Sequence, residues 1–172
     1  MIILERSIVK MIENVFLEME QLLEAHQLKI ESSDLQRPWG GFYVIDETLA
    51  QKFSDVFLNS LDVSTLKISG KLSPKLLLVK PNTRLSWQYH HRRAEIWQVI
   101  KGSAGVVRSE TDIEGELIIL SVNDQITLKQ GERHRLIGLS GWAVIAEIWQ
   151  HTDLNNPSNE DDIVRVQDDF GR

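Results

Sequence analysis

Apolar positions along the chain follow two rhythms. Leu4, Ile8, Met11, Ile12, Val15, Met19, Leu22 and Leu23 recur at helical spacing, with Glu5, Lys10, Glu13, Glu18 and Glu24 on the other side. No Pro or Gly interrupts the chain before residue 38. This pattern predicts an amphipathic helix packed on a main domain or on a partner subunit. A turn follows at Arg37-Pro38-Trp39-Gly40-Gly41, and the rhythm then becomes alternating. Phe42–Ile45 reads as a strand and Lys52–Leu58 as a short helix. Strands are predicted at Thr65–Ser69, Lys75–Lys80, Arg84–Tyr89, Glu95–Ile100, Gly105–Arg108, Glu116–Leu120, Asp124–Leu128, His134–Ile137 and Trp142–Trp149. Many short strands separated by turn residues argue for an antiparallel sandwich or barrel. The polar stretch from Asp153 to Arg172 reads as a surface segment. The expected division is an N-terminal helical extension over 1–36 and a β-barrel domain with its tail over 37–172.

Composition narrows the chemistry. The chain has 172 residues and no cysteine, which excludes a disulfide framework, a Cys-rich zinc site and a thiol nucleophile. Any metal must sit on His, carboxylate or amide oxygen. Nineteen Lys and Arg against 25 Asp and Glu give a net charge of −6, which argues against nucleic-acid binding by phosphate neutralisation. No apolar run approaches a membrane span. Met1-Ile2-Ile3-Leu4 is broken at once by Glu5 and Arg6, so a signal-peptide core is not expected and a cytoplasmic location is.

The richest polar segment is Ser86-Trp87-Gln88-Tyr89-His90-His91-Arg92-Arg93-Ala94-Glu95. On a strand Gln88 and His90 point the same way and His91 the opposite way. A bend over Arg92–Ala94 returns Glu95 to the same pocket. His134 opens a later strand after Gly131-Glu132-Arg133. Gln88, His90, Glu95 and His134 thus form a mixed N/O donor set that suits zinc, manganese, iron, cobalt or nickel. The alternative is a hydrogen-bonded polar cluster at a sheet edge. Glu147 is a lone carboxylate in an apolar strand, where an unpaired charge is costly. It is either a pocket base with a raised pKa or half of a buried pair with an arginine; Glu132 is a second candidate base. Trp87, Trp97 and Trp149 read as core, and Trp39 as an anchor of its turn.

Gln88-x-His90-His91-x-Arg93-Ala94-Glu95-x-Trp97, Gly102 and Gly131-x-x-His134 resemble the two motifs of the cupins, small metal-holding β-barrels. More narrowly, these residues with His134-Arg135-Leu136, Glu160-Asp161-Asp162-Ile163-Val164-Arg165, Asp169-Phe170-Gly171-Arg172 and Arg37-Pro38-Trp39-Gly40 are similar to type II mannose-6-phosphate isomerases. That group includes the isomerase domain of bifunctional mannose-1-phosphate guanylyltransferases. The resemblance covers 37–45 and about 76–172. It implies an all-β jelly-roll (double-stranded β-helix) with the predicted N-terminal helix added. It places a divalent ion, zinc first and manganese, cobalt, nickel or iron after it, on Gln88, His90, Glu95 and His134. It implies isomerisation of mannose 6-phosphate to fructose 6-phosphate, with Arg135 and Arg93 on positive positions at or near the pocket. Either they hold the phosphate, which Arg135 can do only if its strand bends, or they form structural ion pairs. Glu147 is the expected base.

Departures from the family pattern are Arg92 and Ile96 for histidines, Lys129 for proline, Gly138 for asparagine, and a long 46–75 segment. No Gly-rich phosphate loop is present, so nucleotide transfer is not expected. A non-catalytic sugar- or sugar-phosphate-binding cupin is the alternative function. A cupin oxygenase is the third, and Gln88 counts against it. The amphipathic helix makes a homodimer the expected assembly.

Overall fold

The computed structural model describes residues 15–66 and 70–172. Helix α1 covers 15–25, and its predicted positions before residue 15 lie outside the described residues. The helix stops without glycine. Gln27 takes φ 54°, the Gln27 N–H donates to the Glu24 carbonyl and the Leu28 N–H to the Leu23 carbonyl. These two bonds form a Schellman end, and Leu23 and Leu28 supply its buried apolar contact. The chain then enters β1 (Ile30–Arg37), which pairs antiparallel with β2 (Gly40–Ile45). Strand β1 runs across residue 36, where the sequence pattern divided extension from barrel. It is half exposed and mostly polar, so it carries no alternating apolar signal.

A 3-10 turn at Glu47–Leu49 and helix α2 (Ala50–Phe57) follow. The strand expected at Thr65–Ser69 is corrected. Residues 63–65 form a 3-10 turn capped by the Asp62 side chain on the Ser64 N–H, and 67–69 lie outside the described residues. The remaining strands are β3 (Lys75–Val79), β4 (Trp87–Tyr89), β5 (Arg93–Lys101), β6 (Ala104–Ser109), β7 (Leu117–Leu120), β8 (Gln125–Leu128), β9 (Arg133–Gly138), β10 (Ala143–His151) and β11 (Val164–Gln167). Among the described residues they form two antiparallel sheets, β1-β2-β3-β10-β5-β8 and β11-β4-β9-β6-β7. The expected all-β jelly-roll is the observed architecture, with helices added on one face.

Strand parity divides the interior. Leu77, Val79, Trp97, Val99, Ala143 and Ile145 pack between the sheets with Val106, Leu128 and Leu136. Their neighbours Leu76, Leu78, Ile96, Val144, Ala146 and Ile148 face the other way, onto Phe16, Met19 and Leu23 of α1 and Phe53 and Phe57 of α2. Helix α1 and the described part of the long 46–75 segment therefore build the layer that covers the six-stranded sheet. Tyr43 fastens α1 to that sheet through a 2.9 Å bond from its hydroxyl to Glu20. Ile96, where a family histidine was expected, belongs to this outer core and not to the barrel interior.

The end of β9 packs on the backbone just past β3 too closely for a side chain. A Cβ on Gly138 would lie 1.9 Å from the Lys80 carbonyl oxygen, and the Gly138 N–H donates to the Thr83 carbonyl at 2.8 Å. The asparagine usual in the family has no room there. Gly138→Ala is expected to destabilise the fold by about 2–4 kcal/mol, because backbone rather than a flexible side chain must give way. Urea denaturation with an unchanged midpoint for that variant would contradict this packing.

Candidate metal centre and pocket

Three of the four expected ligands meet inside the barrel. His90, Glu95 and His134 are each at most 3% exposed, and one donor atom from each lies within 4.8 Å of the others. His90 Nε2 is 3.1 Å from Glu95 Oε1, and His134 Nε2 is 3.3 Å from Glu95 Oε2. Metal–ligand bonds of about 2.0–2.2 Å place neighbouring donors at about this separation. Both rings are fixed from behind. His90 Nδ1 is 2.6 Å from the Asp162 carbonyl oxygen and His134 Nδ1 is 3.0 Å from the Glu132 carbonyl oxygen. A carbonyl only accepts, so each Nδ1 carries the proton and each Nε2 presents a lone pair to Glu95. His134 Nε2 is buried without a hydrogen-bond partner. An orphaned lone pair beside a carboxylate and a second imidazole is the donor chemistry a divalent ion requires, so the residues fit one.

Gln88 stands level with His134, its partner across the β4–β9 ladder. Its Oε1 accepts from the Ser86 hydroxyl at 2.5 Å and its Nε2 lies 3.5 Å from His90 Nε2. The amide must turn over for its oxygen to join the other three donors. Exposed His91 faces away from the pocket, edge-on to Tyr89.

Arg93 lies against the ligand set. Its Nε donates to Glu95 Oε1 at 2.8 Å, and an amino group lies 3.2 Å from His90 Nε2. Its other amino group donates to the Ser158 hydroxyl at 2.8 Å and the Asn159 carbonyl at 3.0 Å, and the guanidinium stacks 3.7 Å from the Trp149 ring centre. Burial alone would raise the Glu95 carboxyl. Any positive charge on the His90 ring and the charge of the Arg93 guanidinium outweigh it and hold Glu95 well below the usual carboxylate range.

Two expectations are corrected here. Arg135 sits on the opposite face of β9 from His134, fully buried. It pairs with Glu114 and donates to the Gln167 carbonyl, so it does not line the pocket. Strand alternation, unbroken by any bend, keeps it there. Glu132 is no free base, since its carboxylate accepts from Arg108 Nε at 2.5 Å and the Lys129 N–H at 2.7 Å. That second bond needs a backbone N–H, which explains why lysine can stand where the family has proline.

Glu147 lines the pocket and is 5% exposed. It makes no ion pair among the described residues; the Trp149 indole N–H donates to it. Burial, then the nearby Glu95 charge, pushes its pKa up to about 7, against the pull of Lys75, Arg93 and the indole. The pocket, about 110 Å³, is walled by Trp39, Trp97 and Trp149 with Gln88, Arg93, Glu95 and Glu147. Trp97 and Trp149 are buried, as expected of core residues, and so is Trp39, expected as the anchor of its turn; all three also form the pocket wall. Trp87 is fully buried, as expected, but on the other face of β4 from Gln88, and its indole N–H donates to the Asp112 carbonyl at 2.8 Å.

The tail, expected as a surface segment, is part of the site. Asp162 and Ser158 are at most 5% exposed. The Asp162 carboxylate accepts from the His91 and Arg92 N–H groups at 3.0 Å each and from the Ser158 hydroxyl at 2.6 Å. Polar composition hid this role; only the match over 160–165 pointed to it.

With the site's geometry fixed, comparison with known proteins decides the family. Residues 50–168 match the family model described as mannose-6-phosphate isomerase C-terminal. The chain belongs to this family. It is 33% identical over 137 residues to the xanthan biosynthesis protein XanB of Xanthomonas campestris pv. campestris, covering 79% of this chain and 23% of that protein. To the alginate biosynthesis protein AlgA of Pseudomonas aeruginosa it is 29% identical over 140 residues, 81% of this chain and 23% of the relative. To a mannose-1-phosphate guanylyltransferase of Salmonella montevideo it is 28% identical over 151 residues, 87% and 26%. The chain thus spans about a quarter of the length of these relatives. In fold it is similar to Bacillus subtilis oxalate decarboxylase, with TM-score 0.54 and 16% identity over 78% of this chain and 29% of that one. It is also similar to the capsular polysaccharide assembling protein CapF of Staphylococcus aureus, with TM-score 0.53 and 15% identity over 79% and 34%. Among the described residues no helix is long and apolar enough to cross a membrane.

Two outcomes are expected of the family site. One zinc or manganese ion binds per chain by calorimetry. His134→Ala removes that binding, and Asp162→Ala weakens it roughly 10–100-fold by freeing the His90 loop; an unchanged affinity in both variants would contradict the assignment.

His151 gives a separate pH prediction. It is fully buried, and its Nδ1 accepts from the Ser158 N–H at 2.9 Å. Burial, then the Lys71, Arg93 and Arg92 charges, lowers its pKa from 6.5 to about 4. Between those values the unfolded chain binds more protons. Stability is therefore full above 6.5 and falls toward pH 4, by about 3 kcal/mol for this group. His151→Asn keeps an acceptor for Ser158 and is expected to flatten that acid limb in denaturation curves.

Proposed function

We propose that the chain is a metal-dependent sugar-phosphate isomerase that interconverts mannose 6-phosphate and fructose 6-phosphate. The carrying observation is that a buried carboxylate without an ion pair among the described residues, Glu147, shares one small pocket with Glu95, the carboxylate of the donor set His90, Glu95 and His134. Family membership supports the substrate class. Zinc is the favoured ion, and a bound divalent ion supplies Lewis acidity toward the sugar's carbonyl and hydroxyl oxygens.

The remaining work falls to the chain's own residues. Aldose–ketose isomerisation removes a proton from C2, passes through an enediol and returns a proton to C1. Glu147 is placed to take and return that proton. Its pKa near 7 leaves it ionised enough to accept and acidic enough to give back at neutral pH. The Trp149 indole N–H fixes the carboxylate's direction. Trp39 and Trp97 offer apolar walls on which a sugar ring can stack and which exclude water. Arg93 is a positioning residue for Glu95 and His90, because its donors already have partners.

The metal-loaded protein is expected to convert mannose 6-phosphate to fructose 6-phosphate in a coupled assay. Glu147→Gln is expected to cut kcat by about 10²–10⁴-fold while sugar-phosphate binding stays. For the native protein kcat/KM should rise with pH through about 7, since the base must be ionised. Binding of mannose 6-phosphate without turnover under zinc, manganese, cobalt or nickel would overturn the catalytic reading and select a sugar-phosphate-binding protein.

A further inference from the structure

The sequence motif that ends in Arg165 and the one that ends in Arg172 have no part in the proton transfer. Both arginines nevertheless line the pocket, together with Arg37 from the end of β1. They are its solvent-facing cations, whereas Lys75 and Arg93 are buried deeper in the same wall. Resting on the sugar-phosphate reading, we propose that Arg165, flanked by Arg37 and Arg172, is the anchor for the substrate's phosphate.

Three observations lead there. First, the other cations of the pocket are spent. Arg93 donates to Glu95, Ser158 and Asn159 and stacks on Trp149. Lys75 pairs with Glu160 and sits 4.0 Å over Trp149. Arg135 faces the other side of β9, paired with Glu114. Second, Arg165 has no carboxylate partner among the described residues, whereas Arg37 pairs with Asp34 at 2.8 Å and Arg172 with Asp168 at 2.9 Å. Those two pairs are partly exposed, and exposed pairs are weak enough for a dianion to compete with the carboxylate. Third, register aims Arg165 at the site. It is level with Gln88 across β11–β4, and Gln88 is level with His134 across β4–β9. Residues directly opposite on antiparallel strands share a face, so Arg165 projects on the same side as both. Two strand spacings, roughly 9–10 Å, separate its backbone from that of His134. A hexose phosphate with its reacting end at the donor set can span that interval and meet a guanidinium, whose fork matches phosphate oxygens in pairs.

The test uses the full chain stripped of metal by chelator, so that no ion holds the anion, and calorimetry at low, fixed ionic strength. The wild type is expected to bind inorganic phosphate and mannose 6-phosphate. Arg165→Gln is expected to weaken both at least tenfold, and Arg165→Lys to recover part of the loss. Lys29→Gln, which removes an exposed charge far from the pocket, should change neither by more than twofold. With metal restored, Arg165→Gln should raise KM for mannose 6-phosphate while kcat stays within a fewfold of wild type. Phosphate affinity in Arg165→Gln equal to wild type, or no phosphate binding by the wild type at millimolar concentration, would overturn the assignment. Phosphate binding that depends on Arg165 in a protein without turnover would keep the subsite and remove the isomerase reading instead. Turnover with an unchanged KM in Arg165→Gln would do the reverse.

Discussion

Two backbone carbonyls decide the chemistry of this barrel. Those of Asp162 and Glu132 take the Nδ1 protons of His90 and His134, so both Nε2 lone pairs must face Glu95. Free imidazoles would exchange tautomers and turn about χ2; these cannot, and the donor set is organised before any ion arrives. The surrounding structure serves that arrangement. Asp162 holds its carbonyl in place by gripping the loop at 91–92 with its carboxylate, and Glu132 does the same for the turn at 129–132 through Arg108 and Lys129. Each ring is thus locked by a residue whose side chain secures the carbonyl that locks it.

Charge placement around this set follows from burial. Glu95 keeps its charge because positive charge beside it, with Arg93 Nε bonded to Oε1 at 2.8 Å, outweighs its burial. Glu147, one strand away, has only an indole donor and shares the low-dielectric interior with the Glu95 charge, so the same burial drives it toward the protonated form. Two carboxylates in one cavity therefore differ in acidity, which is the division of labour between holding and moving charge that proton-transfer sites use.

Much of this was legible in the chain. Alternation over Gln88–His90 and the spacing to Glu95 and His134 brought three of the donors together, and the apolar frame of 142–149 singled out Glu147. What escaped notice had weak local signals. The end of α1 carries Gln27 where a glycine would have marked it. Strand β1 has polar residues on both faces and no fully buried residue, so no alternation marks it. The tail is acidic and looks solvated, but Asp162 is buried by contacts 70 residues distant in sequence. Arg135 was drawn to the pocket by the family resemblance against the plain rule of strand alternation, and the rule held.

The parity of β3, β5 and β10 has a further consequence. Odd-numbered residues on these strands reach the barrel interior, and even-numbered ones reach the helical layer. The pocket residues and much of the cohesive energy thus share the same strands but opposite sides of them. A lineage can exchange Leu76, Ile96 or Ile148 to adjust thermal tolerance, or add a covering segment such as 46–75, while Lys75, Trp97 and Glu147 stay where they are. Such a sheet lets stability and reactivity evolve on separate faces of one wall.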